Sequence, residues 1–190
     1  THQLSISGTT ADVTLETVML VPRTPAPTTT SEHPVMVGPG AAAVIDLKAY
    51  DLAQEQSGWS WLPDGSGGIE LLPNLNRGDV GTAPLRGLSY WIYATQAHTY
   101  VVWCYGGGPD LGSDSIWLAL DGAVPQTNLT FSGSPLKWTC SRNEGGVVQM
   151  AIPAGLHRLD VRWREDGVRL RQLTLAGDSG WTPYGGDLPV

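Results

Sequence analysis

The sequence predicts an all-β fold, an antiparallel β-sandwich of about nine short strands with an extra hairpin at the N-terminus. Three observations support this prediction. Several short segments alternate apolar and polar residues, which is the period of a half-buried strand. The 24 glycines and 14 prolines among 190 residues mark frequent turns between such segments. No segment shows a sustained helical period of useful length.

The clearest strand pattern spans residues 155–175. Leu159, Val161 and Trp163 alternate with charged residues, and Asp166-Gly167 follows them. Because this dipeptide favours the positive φ angles of a tight turn, we predict a β-hairpin that turns there.

The return strand of this predicted hairpin changes phase. Val168 and Leu170 share one parity, whereas Leu173 and Leu175 share the other. One extra residue at Arg171-Gln172 explains the slip, so we predict a β-bulge at that point.

The other predicted strands complete the sandwich. They are residues 43–50, 69–72, 88–95, 99–105, 115–120, 137–140 and 147–152. We expect the strands at 88–95 and 99–105 to pair with each other.

The N-terminal segment repeats the pattern of residues 155–175. A shift of 155 positions aligns the apolar residues of both segments without a gap, together with the change of phase. We therefore predict that residues 1–22 are the closing hairpin of an upstream homologous module. A Pro/Thr-rich linker at 23–40 and one sandwich at 41–187 follow. Two ordinary hairpins of a single sheet are the alternative.

Charge and composition exclude several classes of partner. The net charge of −7 opposes binding to nucleic acid phosphates or to an anionic membrane surface. No run reaches the roughly 20 apolar residues of a membrane span, so we expect no membrane insertion. Two cysteines, Cys104 and Cys140, fit either one disulfide or two buried thiols.

The aromatic residues supply the candidate ligand contacts. Eight Trp and six Tyr stand against one Phe, and rings with a polar edge suit sites that meet polar partners. Trp59, Trp138 and Trp181 lie in or beside loops, where ligand contact and packing over a sandwich end both remain open. Tyr105 and Tyr184, beside glycine runs, are weaker candidates. Three further tryptophans inside strands are expected in the core: Trp103, Trp117 and Trp163.

No catalytic or metal-binding residue is predicted from the sequence. Residues 177–180, GDSG, resemble a protease nucleophile motif, but no base or oxyanion donor can be assigned to Ser179. Glu165 and Asp166 are neighbours in a turn, so we expect surface charges rather than a facing pair of glycosidase carboxyls. The four histidines show no metal-ligand spacing.

Five phrases occur along the chain in this order: APLRGLSYWIYATQAHTYVVWCYGGG, GSDSIWLALDG, KWTC, GLHRLDVRWREDGVRLRQLTL and GWTPYGG. Together they resemble the β-sandwich carbohydrate-binding modules of families 6 and 35 and their relatives. The resemblance implies a jelly roll in a secreted or cell-surface protein, linked to catalytic or sister binding modules. It also implies polysaccharide or oligosaccharide binding without catalysis. Trp138 matches the ring that supports the sugar, and Arg169 matches a polar contact on the last strand.

One departure from those modules concerns calcium. Many of them hold a structural calcium with acids at three positions that correspond here to Asp46, Lys48 and Arg171. Because two cations replace two carboxylates, we expect this site to be lost and no cofactor to be bound. Asp46 is expected to pair with Lys48 or Arg171 instead.

The resemblance and the loop tryptophans together favour a non-catalytic carbohydrate-binding module. The alternative is a structural spacer or protein-interaction sandwich of a surface protein, with the tryptophans packed. A hydrolase that uses Ser179 or an unrecognised carboxylate pair is a third hypothesis.

Overall fold

The structure, a computed structural model, describes residues 29–53, 60–63, 68–72, 87–124, 127–142 and 145–183. In these ranges the chain forms thirteen strands and no helix. The strands are β1 (Val35–Val37), β2 (Ala42–Asp46), β3 (Leu52–Ala53), β4 (Ser60–Pro63), β5 (Ile69–Leu72), β6 (Gly87–Ala94), β7 (His98–Gly107), β8 (Ser115–Leu120), β9 (Thr127–Thr130), β10 (Lys137–Thr139), β11 (Gln149–Ile152), β12 (Gly155–Trp163) and β13 (Arg169–Ala176). Nothing in this part of the chain could cross a membrane as a helix.

The strands form two sheets that pack face to face. The six-stranded sheet has the order β1-β6-β12-β8-β9, with β3 also on β6. The seven-stranded sheet has the order β10-β7-β13-β5-β4, with β11 on β7 and β2 on β13. Neighbouring strands are antiparallel except for β1 and β6, which are parallel. The predicted all-β sandwich is confirmed.

The core lies between the inner faces of the two sheets. Alternate residues of each strand point inward, so β6 contributes Leu88, Tyr90 and Ile92, all fully buried. Trp163 is also fully buried there, as predicted. The buried Tyr90 hydroxyl donates to the Leu47 carbonyl at 2.7 Å, which satisfies the one polar atom that this ring brings into the core.

The predicted hairpin at 155–175 is wrong, although the turn itself exists. Gly167 has a φ of 71° at the predicted turn. However, β12 pairs with β6 and β8, while β13 pairs with β7, β2 and β5. The turn therefore carries the chain from one sheet to the other. The predicted pairing of 88–95 with 99–105 is wrong for the same reason, since β6 and β7 lie in different sheets.

The predicted β-bulge is confirmed. Leu170 pairs with Gly106 and Gln172 pairs with Tyr105, so Arg171 is the extra residue on β13. The bulge keeps Leu170 and Leu173 both in the core, where each is fully buried.

The sandwich begins inside the segment predicted as a linker. β1 pairs with β6, and the Thr29 hydroxyl accepts the Trp91 amide at 3.1 Å. β4 occupies part of a segment expected to be a loop. The proposed repeat at 1–22 lies outside the described residues.

Candidate functional site

The outer face of the seven-stranded sheet carries two of the predicted ligand-binding rings side by side. β10 pairs with β7 so that Trp138 lies opposite Tyr105. Their ring centroids are 5.5 Å apart and their planes are inclined at 53°. Both side chains are half-buried, so part of each ring remains accessible to a ligand.

Two further rings extend this surface. Trp103 lies two residues before Tyr105 on β7 and so points to the same face, about 7 Å along the strand. Trp181 meets it edge to face, with centroids 6.3 Å apart. Both side chains are half-buried. We name the four rings the aromatic row: Trp138, Tyr105, Trp103 and Trp181.

Two tryptophans predicted for the core lie on outer faces instead. Trp103 belongs to the aromatic row, because its fully buried neighbour Cys104 occupies the inner face of β7. Trp117 is half-buried on β8, with the guanidinium of Arg164 5.3 Å from its ring centroid. That distance is within the range of a cation–π contact.

Polar side chains lie on the same sheet face, beside the aromatic row. Gln172 lies opposite Tyr105 on β13, and Asp46 lies opposite Gln172 on β2. Residues directly opposite on neighbouring strands share a face, so an amide and a carboxylate adjoin the rings. The Asp46 Oδ1 atom accepts the backbone amide of Lys48 at 2.9 Å.

Arg169 lies beyond Tyr105 on the same sheet face and lines a small cavity. It is opposite Gly107, which is two residues beyond Tyr105 on the same face of β7. The cavity has a volume of about 100 Å³. Its lining residues are Gly107, Gly108, Pro109, Ser134, Leu136 and Arg169. We call it the Arg169 cavity.

A buried carboxylate holds together the two loops that line this cavity. Asp114, 3% exposed, accepts the Gly133 amide on Oδ2 at 2.7 Å, and its carbonyl accepts the Phe131 amide at 2.8 Å. Burial raises the pKa of Asp114 above its ordinary value, and the Glu165 carboxylate raises it further. The Gly133 hydrogen bond and Arg164 act in the opposite direction.

Glu165 and Asp166 are not the surface charges that we predicted. They are 7% and 0% exposed. Glu165 Oε2 accepts the Asp114 amide at 3.0 Å and the Ser115 hydroxyl at 2.5 Å, and Oε1 lies 2.6 Å from Arg164 Nη1. The segment between β12 and β13 crosses from one sheet to the other through the buried end of the sandwich. Its charged side chains therefore need hydrogen-bond or ion-pair partners in the interior.

The remaining predicted ligand residues, Trp59 and Tyr184, lie outside the described residues. The GDSG segment forms a turn in which Asp178 Oδ1 accepts the Gly180 amide at 2.8 Å. His98 has its Nε2 atom 2.7 Å from the Gly177 carbonyl oxygen, so this imidazole is held by the backbone.

The two cysteines are free thiols rather than a disulfide. Burial raises the pKa of both thiols. In the described ranges, no group of three or more His, Cys, Asp or Glu side chains is placed to hold a metal ion.

Sequence reasoning missed Trp103, Gln172 and Asp114 as parts of this region. The pairing of β7 with β10 and β13 brings the first two beside Tyr105, and that pairing leaves no local trace in the sequence. Asp114 carries a detectable sequence signal, since it is an acid in a glycine-rich loop.

Comparison with protein-family models and with curated proteins found no match to this sequence. Solved structures do resemble it. A family 36 carbohydrate-binding module of a xylanase from the hindgut metagenome of Trinervitermes trinervoides has a TM-score of 0.52 at 12% identity, covering 73% of this chain and 99% of that one. A Bacillus thuringiensis Cry1Da core variant has a TM-score of 0.53 at 15% identity, covering 81% of this chain and 25% of that one.

A family 35 module from Clostridium thermocellum is also similar, with a TM-score of 0.47 at 9% identity, covering 72% of this chain and 98% of that one. The chain spans only 12% of a matched β-glucosidase from Paenibacillus barengoltzii and 29% of a Podospora anserina GH26-CBM35 mannanase. The similarity to the family 36 module confirms the predicted resemblance to carbohydrate-binding modules at the level of the fold.

Proposed function

We propose that this chain is a non-catalytic carbohydrate-binding module whose ligand lies along the aromatic row. The observation that carries the proposal is the grouping of four half-buried rings on one sheet face: Trp138, Tyr105, Trp103 and Trp181. Pyranose rings present an apolar C–H face that packs on indole and phenol rings. A row of such rings on a flat sheet suits a chain of sugar units better than a compact ligand.

Polar groups beside Tyr105 support the same proposal. Arg169, Ser134 and Gln172 can donate hydrogen bonds to sugar hydroxyls close to the Tyr105 ring. A mostly apolar surface with a few converging polar groups is typical of small-molecule sites. The sandwich fold of the similar family 36 module is compatible with this function.

We further propose that the module anchors a secreted or cell-surface protein to glycan. A linked catalytic or sister binding module would then act at a raised effective concentration of its target. The internal repeat predicted for residues 1–22 agrees with tandem modules.

A glycan array, followed by titration with tryptophan fluorescence as the readout, tests the proposal. Binding of a polysaccharide or oligosaccharide with a change in emission is expected, because ligand would cover indoles of the row. If no glycan on a broad array binds or changes the emission, the proposal is wrong.

A protein-interaction sandwich is the second candidate, and one observation favours it. Met36, Tyr93 and Leu156 lie opposite one another across β1, β6 and β12 on the other outer face, and they are 56%, 41% and 41% exposed. An exposed apolar patch marks many protein interfaces. Substitution of Tyr93 with serine would weaken a protein complex formed there and leave glycan binding unchanged.

A further inference from the structure

A second cavity lies on the outer face of the six-stranded sheet, whereas the aromatic row belongs to the seven-stranded sheet. Alternate residues of β12, Arg158, Asp160 and Arg162, line it together with parts of β6 and the turn after β8. Its volume is about 170 Å³, several times the roughly 30 Å³ that one water molecule occupies in the liquid. We call it the β12 cavity.

Both carboxylate oxygens of Asp160, the acid in this cavity, already have partners. Asp160, 3% exposed, accepts the Ser89 hydroxyl on Oδ1 at 2.7 Å and the Gly122 amide on Oδ2 at 3.0 Å. Arg162 Nη2 donates to Oδ2 at 2.9 Å, and Arg158 Nε lies 3.3 Å from Oδ1. Four contacts leave this carboxylate little capacity for a further donor.

Among the described residues that line the cavity, positive charge exceeds negative charge. Two guanidinium groups face one carboxylate there, and Arg162 is only 4% exposed. Asp121, the acid at the neighbouring turn, is occupied by the Arg158 amide and by His157 Nδ1, each at 2.8 Å. The buried Arg162 shares the Asp160 carboxylate with Arg158, whose side chain is 33% exposed. A second anion would supply the counter-charge that one carboxylate cannot give to two guanidinium groups.

The volume of the cavity, about 170 Å³, leaves room for such an anion. At its edge β6 and β12 approach closely, since a side chain at Gly87 would collide with the Val161 carbonyl. Each guanidinium carries five N–H donors in a planar fork, of which Asp160 takes only a few. Donors of two arginines therefore face a space large enough for a small polar group.

We propose that the β12 cavity binds a small oxyanion group, with Arg158 and Arg162 as the donors. Carboxylate, sulfate and phosphate share the chemistry that a guanidinium fork recognises. The group could be a free inorganic anion or the charged substituent of an acidic sugar. This site lies on the opposite sheet from the aromatic row, and its occupancy does not depend on the function proposed for that row.

Sulfate titration of the ¹⁵N-labelled protein, followed by amide NMR, tests the proposal. Saturable shifts centred on Ser89 and Gly122 are expected, and chloride at the same ionic strength should not reproduce them. Arg158→Gln should weaken sulfate binding about tenfold or more, the loss of a charge-assisted hydrogen bond. Arg142→Gln removes the same charge from an exposed turn of the other sheet and should leave the affinity unchanged.

A second variant and a second probe complete the design. Arg158→Lys keeps the charge but loses the fork, so its affinity should fall between those of the wild type and Arg158→Gln. Competition by glucuronate but not by glucose would indicate a sugar carboxylate as the ligand, whereas sulfate binding without that competition would indicate a free anion. Shifts that follow ionic strength alone, or an unchanged affinity in well-folded Arg158→Gln, overturn the proposal.

Discussion

Trp138 and Tyr105 lie side by side on neighbouring strands of the seven-stranded sheet, with ring centroids 5.5 Å apart. Neither residue is fully buried, and neither belongs to the hydrophobic core. Their value to the folded state is therefore smaller than that of a core aromatic, and we expect their main contribution in ligand binding.

Trp138→Ala is expected to weaken glycan binding by roughly tenfold or more, the effect of losing a central aromatic contact. Isothermal titration calorimetry with the best ligand from the array measures this change. Tyr93→Ala is the matched control, since it removes an exposed ring from the opposite sheet and should bind as the wild type does. Equal affinities for Trp138→Ala and the wild type would exclude the aromatic row as the ligand surface.

The Asp114 carboxyl should make stability depend on pH in a direction opposite to that of most acids. Because its pKa is raised on folding, the folded state holds this proton more tightly than the unfolded chain does. Its contribution to stability is therefore greatest below the ordinary value of 3.8, and it declines as pH rises from there to the raised pKa.

Asp114→Asn keeps an oxygen that can accept the Gly133 amide and removes the titration. The free energy of unfolding of the wild type, relative to this variant, should fall as pH rises through that window, as measured by urea denaturation. Glu32→Gln, at an exposed acid outside this loop, should run parallel to the wild type. A difference that grows with pH would contradict the prediction.

Deletion of Arg171 should be tolerated, because this residue is the extra one of the bulge. Without it, Leu170 and Leu173 still alternate correctly with Gln172 between them. Deletion of Thr174, beyond the bulge, would turn Leu175 outward and lose about 1.5–3 kcal/mol for that side chain alone. Thermal unfolding of both variants decides the matter, and the prediction is wrong if the two deletions destabilise the protein equally.

The two thiols should differ in reactivity. Cys104 is fully buried and Cys140 is half-buried, and burial raises the pKa of each. An aromatic disulfide reagent at mildly alkaline pH should label Cys140 slowly in the native protein and Cys104 only after unfolding. Cys140→Ser, which leaves Cys104 alone, should then show no native labelling, and rapid labelling of that variant would contradict the packing of β7.

Calcium should leave the melting temperature unchanged, because two of the three positions that correspond to the calcium ligands of carbohydrate-binding modules hold cations, Lys48 and Arg171. The comparison is between added calcium and added chelator. The double variant Lys48→Asp and Arg171→Asp places three carboxylates at the corresponding positions and is expected to gain calcium-dependent stability. A calcium effect on the wild-type protein would refute the prediction.

The sequence predicted strands far better than their partners. Ile69–Leu72 and Ser115–Leu120 have the predicted bounds, because short apolar runs between turn residues define them locally. The Asp166-Gly167 signal correctly indicated a chain reversal, yet a turn does not determine which sheet the next strand joins. That choice depends on burying the inner faces of both sheets at once, a property of the whole chain.

The candidate site was predictable only in part, because strand pairing brings its residues together. Trp138, Tyr105 and Arg169 could be chosen by residue type and by resemblance, and β10, β7 and β13 bring them together. Trp103 was assigned to the core because its neighbours Val102 and Cys104 are apolar. The outer face of β7 is itself apolar, so alternation of polarity could not indicate which side faced inward.

The crossing from β12 to β13 also affects how the chain can fold. β12 lies between β6 and β8, and β13 lies between β7 and β5, so the last two strands of the described sandwich fill the middle of both sheets. A nascent chain that stops before residue 155 has two half-sheets with unsatisfied edges. Such fragments should associate through these edges rather than remain monomeric. During synthesis the sandwich can close only after its final strands have left the ribosome.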